Sequence, residues 1–190
     1  QDVRGVVMGL TLIKALTASS SSSLDFVDGT SDVVFDNTYN EYLFQFVNLH
    51  PSDDAAKVMW RSSTDGGSSY GVATTTTFIQ TYHNEADTAT NLSYNTSYDA
   101  AQGIGDLYLS DGVGFDNDQS ASGIFRLYAP SSTTYVKHFQ AEVQHVSAGD
   151  TCNISRTAGY INATSAVDAI KFFFDSNNID LGTIYMYGVS

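Results

Sequence analysis

The 190-residue chain has one cysteine, Cys152. A lone thiol excludes an intrachain disulfide and a zinc centre built on cysteines. It sits in an alternating run, so a buried thiol is expected. Positive charge is also scarce: 8 Lys and Arg stand against 21 Asp and Glu, for a net charge of −13. A nucleic-acid binder needs a basic face to displace phosphate counterions, and anionic membrane surfaces select against acidity of this kind. Neither nucleic acid nor membrane is expected as a partner. No apolar run approaches the ~20 residues of a membrane-spanning helix. The segment Val6–Leu16 is interrupted by Gly9, Thr11 and Lys14 and matches neither a signal peptide nor a span. The chain opens on Gln1 rather than Met, as a processed or partial sequence would.

Charged residues make up only 15% of the chain, against about 25% in ordinary soluble domains. Ser, Thr, Asn, Gly and Tyr replace them, a mixture suited to strand surfaces and turns. A domain of this length buries about 70% of its unfolded surface and folds on its own core. Period-two alternation dominates. Strands are expected at Val6–Leu16, Tyr42–Leu49, Lys57–Ser62, Val72–Tyr82, Leu107–Leu109, Gly123–Tyr128, Tyr135–Val146, Thr151–Ile161, Ile170–Phe174 and Gly182–Val189. The run Ser19–Ser23 leads into a strand approach at Leu24, Phe26 and Val27. Apolar side chains on both faces of Tyr42–Leu49 suggest a strand covered on both sides. Ser165–Ala169 is expected to hold a helical turn, and the polar stretch Asn84–Gly105 to form an irregular loop. About nine or ten strands with no long amphipathic helix indicate an all-β fold, an antiparallel jelly-roll-like β-sandwich. Residues 1–20 are expected as an arm or first strand, and 21–190 as one domain. The length of Tyr135–Val146 raises the problem of an unpaired edge, which oligomerisation would cover.

Chemistry is harder to find. There is no Gly-x-Ser-x-Gly elbow. His138 and His145 are an odd number apart on one strand and so face opposite ways. Most acids lie in turn clusters, where Asx hydrogen bonding accounts for them. Asp111, Asp116 and Asp118 group enough oxygens to be weak calcium candidates, but the run lacks the EF-hand spacing. No cofactor is expected. Tyr82, Tyr94 and Tyr98 flank or occupy the polar Asn84–Gly105 stretch, where exposed rings would contact a sugar or a partner chain. Val6, Val7, Leu10 and Leu12 give the N-terminal arm an apolar side that could add a strand to a neighbour.

Three stretches carry a resemblance. They are Tyr39-Asn40-Glu41-Tyr42-Leu43-Phe44, the run Met59–Tyr70 with its Ser63-Thr64-Asp65-Gly66-Gly67 turn, and Asn178–Val189 with Gly182-Thr183 and Tyr187-Gly188. In this order they resemble small virion proteins of tailed phages, marine ones in particular. The resemblance implies a non-enzymatic protein of the virion exterior. It would be a capsid decoration or cement protein stabilising the shell, working as a homotrimer against the major capsid protein. Alternatives are a tail-fibre or head-fibre adsorption protein binding host surface glycans, and a secreted carbohydrate-binding module. From the residues alone, Gly66 and Gly67 supply left-handed backbone for a tight turn. Tyr185 and Tyr187 share one face of the final strand, with Ile184 and Met186 on the other.

Overall fold

The computed structural model describes residues 9–190. They form thirteen strands and, among the described residues, no helix. In chain order these are β1 (Leu10–Thr17), β2 (Leu24–Val27), β3 (Glu41–Pro51), β4 (Ala56–Ser63), β5 (Thr74–Asn84), β6 (Thr90–Tyr94) and β7 (Ala100–Gly103). There follow β8 (Leu107–Val113), β9 (Ala121–Tyr128), β10 (Lys137–Val146), β11 (Thr151–Ile161), β12 (Ala169–Phe174) and β13 (Ile179–Val189). Nine strands make one sheet in the order β1-β13-β3-β9-β10-β11-β5-β6, with β7 continuing the β6 edge along β5. The other four make a second sheet, β2-β12-β4-β8. Every pairing is antiparallel. The chain repeatedly crosses between the layers. The two antiparallel sheets form a sandwich, and the order β2-β12-β4-β8 opposite β3-β9-β5-β6 is consistent with a jelly roll, with the β10–β11 hairpin inserted between β9 and β5 and with β13 and β1 added beyond β3.

The core lies between the sheets and is aromatic. Trp60, fully buried on β4, meets Phe125 and Phe139 of the large sheet at ring distances of 4.7 and 4.6 Å. Phe44 packs on Phe172 at 5.3 Å and on Phe26 at 5.2 Å. Such offset and edge-on pairs add about 0.5–1.5 kcal/mol each beyond the burial of their area. Alternation along β10 shows how this layer is selected. Phe139, Ala141, Val143 and His145 point inward, while His138, Gln140 and Gln144 are outward, with Glu142 half-buried on that side.

Several expectations are corrected. The first strand is Leu10–Thr17, and Val6 and Val7 lie outside the described residues. β3 is fully covered on one face, and on the other Leu43 is buried but the covering does not extend along the strand. Gln45 and Val47 are exposed, and Leu49 is buried because a bulge, with Asn48 at φ +51°, restores inward parity after Phe46. β10 is an interior strand between β9 and β11 and presents no edge. The Asn84–Gly105 stretch is not a loop: β6 and β7 are one edge strand along β5, interrupted by residues 95–99. The helical turn at Ser165–Ala169 is absent. A bend at Thr164–Ser165 leads instead into β12, and the buried Lys137 ties this segment down, its Nζ donating to the carbonyls of Tyr135, Ala163 and Ser165 at 3.1, 3.0 and 2.6 Å.

Cys152 is exposed. Its own sequence parity favours an inward thiol, but pairing with β10 sets the face. Phe139 and Val143 sit opposite Gly159 and Ser155, which puts Asn153, Ser155 and Thr157 inside and Cys152 outside. The turn of the second resembling stretch is tied as expected of its residues. Gly66 and Gly67 have φ +70° and +77°. The Asp65 carboxylate accepts from the Ser69 hydroxyl and N–H and from the Ser63 hydroxyl, which holds its pKa down at about 2.

Candidate functional site

One face of the large sheet lines the core. No described element packs over the other, and the strand register shows what it presents. A row crosses all its strands: Ala15 on β1, Tyr185 on β13, Gln45 on β3 and Ile124 on β9 are successive partners. The row continues through Glu142 on β10, Arg156 on β11, Ile79 on β5 and Tyr94 on β6. A parallel row on one side runs Leu12, Tyr187, Leu43, Arg126, Gln140, Ala158 and Thr77. The row on the other side contains Thr183 and Val47 and, further across, Gln144, Ile154, Thr81 and Leu92. With strands ~4.8 Å apart, seven spacings make this face ~34 Å wide.

Its composition differs from that of the molecule. The chain carries −13, yet among the described residues only Glu41 and Glu142 project from the regular part of this face as acids. Both are neutralised in place. Glu41 pairs with Arg126, and Glu142 accepts from Arg156 Nε at 2.6 Å. Large apolar side chains collect here instead. Leu12, Val47, Ile79, Leu92 and Tyr94 are exposed on it, Leu10 borders it, and Tyr185 and Tyr187 stack at 6.4 Å. Only Ile104, Phe115 and Tyr135 are comparably exposed away from this face and its end, among the described residues. Depletion of charge with enrichment of aromatic residues and Arg characterises the cores of protein interfaces, and this face shares the aromatic residues and the arginines. Shallow grooves of ≈330 Å³ (Gln140, Glu142, Arg156) and ≈320 Å³ (Gln45, Ser122, Gln144) score the surface.

A larger concavity of ≈570 Å³ closes one end of the face, lined by Asn48, His50, Asp118, Asp180 and Leu181. Two backbone irregularities meet there. Gly182 has φ +118°, and a Cβ on it would lie 2.5 Å from the Asn48 carbonyl oxygen, so only glycine lets β13 approach the β3 bulge. The Asp116 carbonyl can only accept, so the 3.2 Å contact with His50 Nε2 requires the ring to donate from that nitrogen. His50 Nδ1 lies 4.0 Å from the Asp180 carboxylate.

The three calcium candidates are not brought together. Asp111 accepts from the Tyr98 hydroxyl at 3.1 Å and from the Gly112 N–H at 2.8 Å. Asp116 is engaged through its backbone, and Asp118 lines the end concavity. No group of three His, Cys, Asp or Glu side chains suited to a metal occurs among the described residues. The three tyrosines also part company. Tyr98 is a packing residue, set against Phe78 and Tyr108 at 5.2 and 4.8 Å, and burial with the nearby Asp111 charge pushes its hydroxyl up to about 12. Tyr82 is half-buried on β5. Tyr94 is exposed and donates to Asp99 at 2.7 Å. The face itself was not singled out from sequence. The available signal was parity: Arg126, Glu142 and Arg156 all occupy outward positions of adjacent strands, but recognising them as neighbours requires the strand order.

On the inner side, His145 is buried and, among the described residues, neither ring nitrogen has a hydrogen-bond partner. It lies between Ala121 of β9 and Asn153 of β11. Burial pushes its imidazole from 6.5 down to about 4, with the Asp111 charge opposing the shift.

No protein-family model, no curated protein and no solved structure matches this chain.

Proposed function

We propose that the chain is a non-enzymatic structural protein of the exterior of a tailed-phage particle, a decoration or cement protein that stabilises the shell. One observation carries this reading: a strongly acidic molecule keeps one broad sheet face charge-balanced and studded with exposed apolar side chains. Three or four rows of residues spaced ~6.8 Å along the strands, across a ~34 Å width, give ~700–900 Å². That equals one side of a standard protein–protein interface, about 800 Å² per partner. The remaining acidic surface keeps assembled particles apart in solution. The three stretches resembling phage virion proteins point to the same class. The partners in this reading are copies of the chain and the major capsid protein. Proteomics and cryo-electron microscopy of purified particles test it. Many copies on the shell are expected, and absence from the particle refutes it.

A second reading, adsorption to host glycans, is favoured by the ≈330 Å³ groove, where the Gln140 amide and the Glu142–Arg156 pair offer donors and acceptors together. A glycan array decides it: specific binding lost in Gln140→Ala supports adsorption, and no binding removes it.

A further inference from the structure

We propose that the uncovered face of the large sheet is occupied by a second copy of this chain, packed sheet against sheet about a two-fold axis. The inference rests on reading that face as a docking surface and names its partner. Charge selects the partner. Two chains of −13 repel when they meet through most of their surface, whereas on this face each carboxylate is already matched by an arginine.

Geometry makes the match self-complementary. Glu142 and Arg156 are direct cross-strand neighbours on β10 and β11, near the middle of the central row. A two-fold axis passing between them sets the Glu142 of each copy against the Arg156 of the other, the isologous pattern in which one patch serves both sides. Ile124 and Ile79 flank this pair in the same row and supply apolar contact around it. Sheets pack face to face ~10 Å apart with their strand directions within about 30°. With the axis there, six strands of each sheet overlap, ~24 Å across, and three or four rows bury ~500–650 Å² per copy, the small end of the range for stable pairs. This arrangement is a closed dimer, in place of the three-fold assembly expected from sequence.

Sedimentation equilibrium across a concentration series tests it. The wild-type chain should approach twice its 20.5 kDa mass. Association should strengthen as salt is raised from low ionic strength, because screening relieves the repulsion between two acidic bodies. Arg156→Glu places like charges side by side on both copies and should weaken pairing at least tenfold. The double exchange Glu142→Arg with Arg156→Glu should restore it. Circular dichroism and urea midpoints verify that each variant is folded. A wild-type chain that stays monomeric throughout, or a dimer indifferent to Arg156→Glu, overturns the pairing. If the monomeric chain still joins purified phage particles through this face, the docking reading survives while the self-pairing falls. If a dimer forms and is absent from particles, the pairing stands and the virion reading falls.

Discussion

Acid should weaken this fold through one side chain. His145 is buried on the inner side of β10, and among the described residues neither ring nitrogen has a hydrogen-bond partner. The groups around it give little help. Ala121 faces it from β9, the Asn153 amide from β11 is committed to Thr151, and the Asp111 carboxylate from β8 is engaged by Tyr98 and by the Gly112 N–H. Desolvation therefore dominates and lowers the folded imidazole from 6.5 to about 4. The unfolded chain takes up the proton first. Stability is complete above pH 6.5, declines as pH falls toward 4, and this contribution levels off below that. Each pH unit between the two values is ~1.4 kcal/mol, so the loss amounts to ~3 kcal/mol. That is a large share of the roughly 5–15 kcal/mol that holds a typical domain folded. Urea unfolding followed by the fluorescence of the single, buried Trp60 measures it. The control is His145→Leu. It removes both orphaned nitrogens and should lie within ~1 kcal/mol of wild type at pH 7.5. Carboxylate titration is common to both proteins and cancels in their difference. That difference should grow by ~3 kcal/mol between pH 6.5 and 4. A difference that is flat with pH refutes the reasoning.

Three further outcomes are expected from denaturant titrations at neutral pH. Trp60→Ala removes the ring that joins Phe125 and Phe139 across the layers and should cost ~3–5 kcal/mol. Gly182→Ala forces a Cβ against the Asn48 carbonyl at a left-handed φ. It should cost ~1–3 kcal/mol, whereas Gly66→Ala, with open space around it, should cost less. Lys137→Met strips three carbonyls of their shared donor and should destabilise by ~1–3 kcal/mol; protease cleavage within residues 163–168 should accelerate in parallel.

Much of the architecture was legible because alternation is a local property. Residues Thr151–Ile161, Ile170–Phe174 and the paired faces of Ile184 and Tyr185 follow from period two alone. What failed depended on partners distant in sequence. Cys152 faces out because β10 dictates the parity of β11, and Leu49 faces in because a bulge at Asn48 resets its strand. Ser165–Ala169 forms no helical turn, and its Ser165 carbonyl is taken by the Lys137 ammonium 28 residues away. Tyr98 looked like a ligand contact and is a packing residue, since its neighbour Phe78 lies on a strand that the sequence does not place beside it. The charge-balanced face was invisible for the same reason: Arg126, Glu142 and Arg156 become a cluster only once β9, β10 and β11 are set side by side.

The pairing of β1 has a kinetic meaning. Among the described residues its only strand neighbour is β13, and Thr17 meets Thr183 across 166 positions. During synthesis at ~5–20 residues per second, β1 leaves the ribosome many seconds before its mate exists. Until then Leu10 and Leu12 belong to an unmatched strand that any other extended chain can capture. Productive folding of this molecule is thus a race between late closure of the sheet and premature capture of its first strand, and low temperature or dilute expression should favour closure.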